Sequence, residues 1–334
     1  MATDTTPEMD YRPLGTSGLM VSVVGLGCNA FGSRIDSAQT QAVVDAALTA
    51  GITLFDTADI YGLGASEELL GKALGSRRDD VVIATKFGMD MEGRNGPDWG
   101  ARASRRYVRK AVEASLRRLG TDHIDLYQLH QRDLVTPLEE TVEAMNELVD
   151  EGKVRYLGCS NFAAWEVVEA HWLASSSGRR PFVSAQNEYS LYNRAAEEEL
   201  VPALEHLGMA LLPYFPLAYG LLTGKYRRGE AAPAGSRLGT AAQRHRLDTA
   251  DFDRVEALER FAADRGVGIL DVALGGLAAQ PAVGSVIAGA TRPEQVRANV
   301  SAGLWQPAED ELAELATINT DRGPGMRHAS YALR

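Results

Sequence analysis

The stretch Phe55-Asp56-Thr57-Ala58-Asp59-Ile60-Tyr61-Gly62 sets a carboxylate and a phenol on either side of a strand end. Gly51 to Phe55 is a short apolar run with a β-branched centre, the pattern of a buried strand, and Asp56 breaks it with a charge. A carboxylate in that place is costly unless a cation or hydrogen-bond donors meet it. The next apolar run, Val81 to Thr85, ends in Lys86, and the one from Ile124 to Leu129 ends in His130. Three strands thus close on Asp, Lys and His, with Tyr61 just past the first. A free phenol has a pKa near ~10, and lowering it by two units takes about 2.7 kcal/mol. An ammonium ~4 Å away at an effective dielectric of ~20 contributes roughly 4 kcal/mol. Lys86, kept charged by Asp56, is therefore expected to depress Tyr61 and make it a proton donor. His130 is expected to donate to the substrate oxygen and orient it. No side chain is placed as a nucleophile, so hydride from a bound nicotinamide is the natural complement.

The elements that must hold these residues repeat as strand then helix. Tyr11 to Leu14 and Leu19 to Val21 read as a hairpin about a Gly/Ser turn, a plug rather than a catalytic piece. Apolar strands then end near 27, 56, 86, 130, 159, 187, 214 and 288. Helical spacing follows over about 37–50, 67–74, 104–119, 138–149, 163–175, 196–206, 252–264, 269–279 and 293–301. Thr136-Pro137-Leu138-Glu139 predicts a capping box with proline at the first helical position. A connection rich in Gly, Ala, Pro and Arg runs from Phe215 to about Asp248, long enough to be a functional lid. Eight such units predict an α/β fold, a closed (β/α)8 TIM barrel with an N-terminal β-hairpin and an extra C-terminal helix near 308–318. One barrel domain is expected over 8–320, with a tail at 321–334. Reactive groups gather at the C-terminal strand ends of such barrels, where Asp56, Lys86 and His130 sit. Gly25-Leu26-Gly27-Cys28-Asn29-Ala30 matches the dinucleotide fingerprint G-x-G-x-x-G/A, but a loop follows it instead of a helix. These glycines are expected to serve close backbone packing.

Composition narrows the function classes. With 34 Lys+Arg against 45 Asp+Glu in 334 residues, the net charge of −11 opposes binding to nucleic acid or to anionic membrane. Any phosphate site must be local. No apolar run spans a bilayer, and Met1 to Pro7 is too short and polar for a signal peptide, so a cytoplasmic setting is expected. Cys28 and Cys159 end apolar runs and are expected as buried thiols, and no set of metal ligands stands out.

Taken in order, Leu26-Gly27, Phe55-Asp56-Thr57-Ala58 with Tyr61-Gly62, Ala84-Thr85-Lys86-Phe87-Gly88, Asp125 to His130 and Gly158-Cys159-Ser160-Asn161-Phe162 resemble the aldo-keto reductases, from about Tyr11 to Asn299. The resemblance implies a barrel that reduces aldehydes and ketones with NADPH, its Asp, Tyr, Lys, His tetrad matched by Asp56, Tyr61, Lys86 and His130. It implies nicotinamide contacts at Ser160, Asn161 and Gln186, and a stacking ring at Tyr214. Leu221 to Tyr226 resembles the segment over the pyrophosphate, with Lys225 and Arg237 there and Leu217 and Leu221 among the cofactor contacts. Gly289, Thr291, Arg292, Gln295 and Asn299 resemble the adenosine-phosphate site. Phe215 departs from the serine common after the stacking tyrosine. From below, Thr291-Arg292-Pro293-Glu294 reads as a helix cap whose free N–H groups favour an anion, with Arg292 suited to a ribose 2′-phosphate.

Blander roles stand beside these: Ser160 and Asn161 as helix caps, Gln186 satisfying buried backbone, Tyr214 as core, and Arg292, Lys225 and Arg237 as solvated surface. Arg102, Arg105, Arg106, Arg109 and Lys110 read as an exposed helix face. Phe31 and Trp99, with Met89 and Tyr219, are expected to wall a substrate pocket. Rival functions are an NADPH-binding regulatory or redox-sensing subunit with little turnover, and a Schiff-base aldolase using Lys86, which Asp56 disfavours by keeping the amine protonated. The particular carbonyl substrate, the physiological direction and the oligomeric state are left open by the sequence.

Overall fold

The computed structural model describes residues 8–319, so the expected tail at 321–334 lies outside the described residues. An antiparallel hairpin, β1 (Tyr11–Pro13) and β2 (Met20–Ser22), leads into parallel strands. These are β3 (Val24–Gly27), β4 (Leu54–Asp56), β5 (Val82–Phe87), β6 (Ile124–Leu129), β7 (Val154–Ser160), β8 (Ser184–Glu188), β9 (Ala210–Tyr214) and β10 (Val286–Gly289). They pair in chain order, and β10 returns to β3. The ring closes just ahead of β10, where the Leu211 N–H donates to the Ala282 carbonyl at 2.7 Å and the Gly284 N–H to the Leu211 carbonyl at 2.9 Å. The expected (β/α)8 barrel is therefore present.

Around it lie α1 (Ser37–Thr49), α2 (Ala65–Leu74), α3 (Arg105–Leu119), α4 (Leu138–Asp150), α5 (Ala164–Ser176), α6 (Leu200–Leu207), α7 (Arg244–Asp248), α8 (Phe252–Asp264), α9 (Ile269–Ala278) and α10 (Pro293–Gly303). The extra helix α11 (Glu309–Thr317) follows. Their starts have local causes. Asp36 and Gln39 bond each other's backbone N–H groups in a capping box before α1. Helix α4 opens at Leu138, one residue later than the expected cap, because Thr136 gives its hydroxyl and N–H to Asp133 instead. The span expected as one helix over 196–206 splits into a short 3-10 turn and α6, which puts Pro202, lacking an N–H, in the first turn, where that loss is harmless. The long connection after β9 carries two short 3-10 stretches, Ala218–Thr223 and Arg237–Gly239, and the helix α7.

Two layers of core result. Between strands and helices, rows such as Val108, Val112, Ser115 and Leu119 of α3 face inward at helical spacing. Inside the barrel, Leu54, Ala84, Leu126, Leu212 and Ile287 meet Leu14, Leu19 and Val21 of the hairpin. The hairpin thus stoppers the N-terminal mouth, each of its buried side chains contributing about 1.5–3 kcal/mol. Its turn requires glycine at position 15: φ is +60°, and a Cβ there would lie 2.5 Å from the Gly208 carbonyl oxygen. With the barrel interior filled at that end, the charged strand ends lie at the opposite, C-terminal mouth.

Candidate active site

The end of β4 and the turn after it place the first two reactive groups. The Thr57 N–H donates to Ala84 O at 2.8 Å and the Asp59 N–H to Lys86 O at 3.1 Å, so the chain stays clamped to β5 as it leaves the strand. Tyr61 follows on a 3-10 turn in which Gly62 and Leu63 take positive φ. From the adjacent strand Lys86, fully buried, donates to Asp56 Oδ2 at 2.7 Å, to the Thr57 carbonyl at 2.8 Å and to the Tyr61 hydroxyl at 3.5 Å. Its ammonium also lies 5.0 Å from the Tyr61 ring centre. His130, at the end of β6, stands edge-on to Tyr61 with centroids 5.9 Å apart.

The electrostatics follow from burial. Burial pulls the Lys86 ammonium down, but Asp56 and Tyr61 together outweigh it, so its pKa rises and the group stays charged. Burial also pushes the Tyr61 phenol above its ordinary value, and the nearby ammonium does not fully reverse this, particularly as Asp56 acts the other way. The expected depression of Tyr61 is absent: desolvation of the phenolate, which strand-end spacing does not encode, is the larger effect. Tyr61 is thus a phenol throughout the physiological range, the form a proton donor needs. Burial and the Lys86 charge hold His130 well below the usual imidazole range, so it is neutral. Its Nδ1 is buried without a hydrogen-bond partner among the described residues.

These groups open on a cleft of about 690 Å³ lined by Asp56, Tyr61 and His130. Ser160, Asn161, Gln186 and Tyr214 line it as expected, and they are wired together. Tyr214 donates to Asn161 Oδ1 at 2.7 Å, Asn161 donates to the His130 carbonyl at 3.0 Å, and Ser160 donates to Gln186 O at 2.8 Å. Gln186 donates its amide to Asp56 Oδ1 at 2.7 Å. Leu217, Lys225, Arg237, Gly289, Thr291 and Gln295 also reach the cleft wall.

Other expected residues lie elsewhere. Leu221 is buried beneath the wall. Asn299 is buried too and donates to the Gly289 carbonyl at 3.5 Å, bracing the loop instead of facing the cleft. Arg292 is exposed at the start of α10 and outside the lining. The expected threonine cap is not formed there, since Gln295 Oε1 accepts from the Thr291 N–H and hydroxyl. Phe31 does not wall a pocket, being fully buried where the loop after β3 folds back and bridges to Ile35. Trp99 stands 73% exposed with the Arg106 guanidinium 4.3 Å from its ring centre, away from the cleft.

Sequence reasoning missed Arg34, which lines the cleft from the loop after β3 and donates to Asn29 Oδ1 at 3.3 Å. Its signal was available: a cation in a loop at a C-terminal strand end of an acidic chain. Arg34, Lys225 and Arg237 make no ion pair with a carboxylate among the described residues, and burial with repulsion from Arg34 lowers the Arg237 pKa. Cations gathered this way, each lacking an acid, suit a phosphate-bearing ligand. The loop after β9 holds Phe215, Ala218 and Tyr219 at positive φ, a conformation costing each about 1–2 kcal/mol. Arg237 lies 5.0 and 5.2 Å from the Phe215 and Tyr219 ring centres, and Arg246 3.9 Å from Tyr219, which helps hold that shape. A dinucleotide fits these residues, with the polar Ser160, Asn161, Gln186 and Tyr214 at one end and cations at the other.

Behind the turn that carries Tyr61 lies a second buried cluster. Asp59 Oδ2 accepts from Asn95 at 3.1 Å while Oδ1 has no hydrogen-bond partner among the described residues. Arg118 donates to Asn95 at 3.1 Å and to Glu67 at 2.6 Å, and Glu67 also accepts from Thr85 at 2.6 Å. Glu67 pairs with the Arg118 guanidinium while Asp59 is joined to it only through Asn95, and burial with the Glu67 charge pushes Asp59 up to about 8.

Comparison with known proteins agrees with this geometry. The profile of the aldo/keto reductase family matches residues 23–320. Similar proteins include the uncharacterized oxidoreductase YrpG of Bacillus subtilis, 37% identical over 88% of this chain and 91% of its own. The versiconal hemiacetal acetate reductase of Aspergillus parasiticus is 38% identical over 80% and 84%. A probable voltage-gated potassium channel subunit beta of Oryza sativa subsp. japonica is 36% identical over 88% and 91%. A barrel of this topology with a matching profile over most of its length places the chain in the aldo/keto reductase family.

Proposed function

We propose that this protein is an NADPH-dependent carbonyl reductase that converts an aldehyde or ketone to its alcohol. The observation that carries this is Lys86 bridging Asp56 and Tyr61, a charged amine held against a protonated phenol at the floor of a cleft. The reduced nicotinamide, when bound, supplies hydride to the carbonyl carbon. Tyr61 delivers its proton to the carbonyl oxygen, and Lys86 steadies the phenolate that results, by roughly 5 kcal/mol at 3.5 Å and an effective dielectric near 20. Neutral His130 donates to the same oxygen and fixes its direction. Asp56 keeps Lys86 charged and is itself held by Gln186. Asn161, Ser160 and Gln186 suit the carboxamide of the nicotinamide, and Tyr214 offers a ring for stacking. We assign the pyrophosphate to Arg34, Lys225 and Arg237, and the adenosine phosphate to Gly289, Thr291 and Gln295, with Asn299 bracing that loop and Arg292 approaching from the solvent side. A cytoplasmic setting suits two buried, unpaired thiols.

The test is loss of reduced-nicotinamide absorbance with a panel of aldehydes and ketones, NADPH against NADH. Turnover with NADPH supports the assignment, and its absence on every carbonyl removes it. Equal efficiency with the two cofactors, unchanged in Arg292→Ala, removes the role of Arg292. A regulatory subunit is the alternative, favoured by relatives named as potassium channel β subunits. Tight cofactor binding without turnover, together with co-purification of a larger partner, would select it.

A further inference from the structure

The reactive pair sits on two different elements. Lys86 is fixed by the register of β5, whereas Tyr61 hangs on a turn whose next three residues, Gly62, Leu63 and Gly64, all take positive φ. Leucine in that conformation is strained, so the surroundings must hold the turn in shape. The holding group comes from α3. Arg118, its side chain 13% exposed, donates Nε to Glu67 Oε2 at 2.6 Å and Nη1 to Asn95 Oδ1 at 3.1 Å. Its stem packs on the far end of the turn, where a Cβ on Gly64 would lie 2.7 Å from Arg118 Cδ. At the near end Asn95 donates to Asp59 Oδ2 at 3.1 Å, a bond that either form of the carboxyl accepts. Glu67, fully buried, accepts from the Thr85 hydroxyl at 2.6 Å, and Thr85 immediately precedes Lys86 in β5. One guanidinium therefore grips the Tyr61 turn at both ends and, through Glu67, the strand that carries Lys86. None of Arg118, Glu67, Asn95 and Thr85 lines the active-site cleft.

We propose, resting on the carbonyl-reductase reading, that Arg118 is a positioning residue for the reduction: it holds the turn against β5 so that the Tyr61 hydroxyl stays within reach of the Lys86 ammonium. Little slack is available. The ammonium stands 3.5 Å from the hydroxyl, already long for a hydrogen bond. One further ångström, at an effective dielectric near 20, weakens the attraction enough to slow proton delivery about sixfold. Arginine suits the task by its shape. A planar fork reaches Glu67 and Asn95 at once, whereas a lysine would meet Glu67 as a point charge and leave Asn95 without its donor. Because the brace never touches cofactor or substrate, its loss acts on the rate of the chemical step and not on binding.

Single-turnover reduction of 4-nitrobenzaldehyde, an uncharged probe, at saturating NADPH reads the effect. Arg118→Lys and Asn95→Ala should each lower the rate by about three- to tenfold, with the half-saturating concentrations of aldehyde and NADPH unchanged. Val112→Ala, buried on the same helix but outside this set of hydrogen bonds, should lose stability and keep the parent's rate. In the Asp56→Asn/Lys86→Met background there is no ammonium to align, so adding Arg118→Lys should change the rate by less than about twofold. Rates within about twofold of the parent in both Arg118→Lys and Asn95→Ala would overturn the role. So would an equal loss in Val112→Ala, or the same loss with and without Lys86, either of which marks an ion pair that serves the fold alone. A parent that reduces neither this aldehyde nor any other carbonyl removes the reductase reading and the role together, whereas an active parent matched by both variants removes only the role.

Discussion

Replacing Lys86 with methionine separates what the ammonium does for the fold from what it does for the reaction. Lys86 is fully buried and 2.7 Å from Asp56, so its loss leaves an uncompensated carboxylate, at a cost of about 3–5 kcal/mol. The same change removes roughly 5 kcal/mol of phenolate stabilisation at the 3.5 Å separation from Tyr61, worth about several thousandfold in turnover. The two effects part in the double variant Asp56→Asn/Lys86→Met. Asparagine still accepts from Gln186, which donates to Asp56 Oδ1 at 2.7 Å, but no bare charge is left behind. Urea unfolding should show most of the lost stability restored in the double variant, while steady-state carbonyl reduction stays about several thousandfold below the parent. Recovery of turnover along with stability would mean that Lys86 acts only as a structural counter-ion, and the assignment of Tyr61 as its ward would be wrong.

Two further expectations concern pH. Because Tyr61 is raised above its ordinary value and His130 is well below its own, neither changes form near neutrality, so carbonyl reduction should be flat between about pH 6 and 9. Alcohol oxidation needs the phenolate and should climb with pH; a reduction rate that falls by tenfold in that window would contradict this assignment. Asp59 is raised to about 8, so the stability its neutral form provides is complete below the ordinary carboxylate pKa and is lost as pH rises toward 8. Asp59→Asn mimics the neutral acid, and its unfolding free energy should gain on the parent from pH 5 to pH 8, by at most about 1.4 kcal/mol per pH unit. Parallel curves would show that Asp59 is ionised in the fold.

Strand ends were legible because charge interrupts apolar runs: Asp56, Lys86 and His130 are set by strand register, and register is a local property of sequence. Ser160 and Gln186 are brought side by side where β7 pairs with β8, but no charge marks them and only the resemblance to the aldo-keto reductases pointed to them. Loop side chains were not legible in this way. Nothing in the periodicity around Phe31 says that it turns inward while Arg34, three residues on, faces the cleft, since the direction is fixed by how the loop folds back on Ile35. The outward direction of Trp99 and Arg292 was hidden for the same reason. The sign of the Tyr61 shift was also hidden, because it depends on how completely the barrel mouth excludes water around the phenol, a tertiary property. Thr136 shows a smaller case of competition, where a nearby aspartate took the hydroxyl that the cap needed.

The most direct measurement is single-turnover reduction of a carbonyl by the Tyr61→Phe variant with NADPH already bound. The account predicts cofactor affinity close to that of the parent and a reduction rate lower by about 10²–10⁴, the usual contribution of a positioned proton donor. A rate within tenfold of the parent, at equal cofactor occupancy, would show that the proton comes from somewhere else.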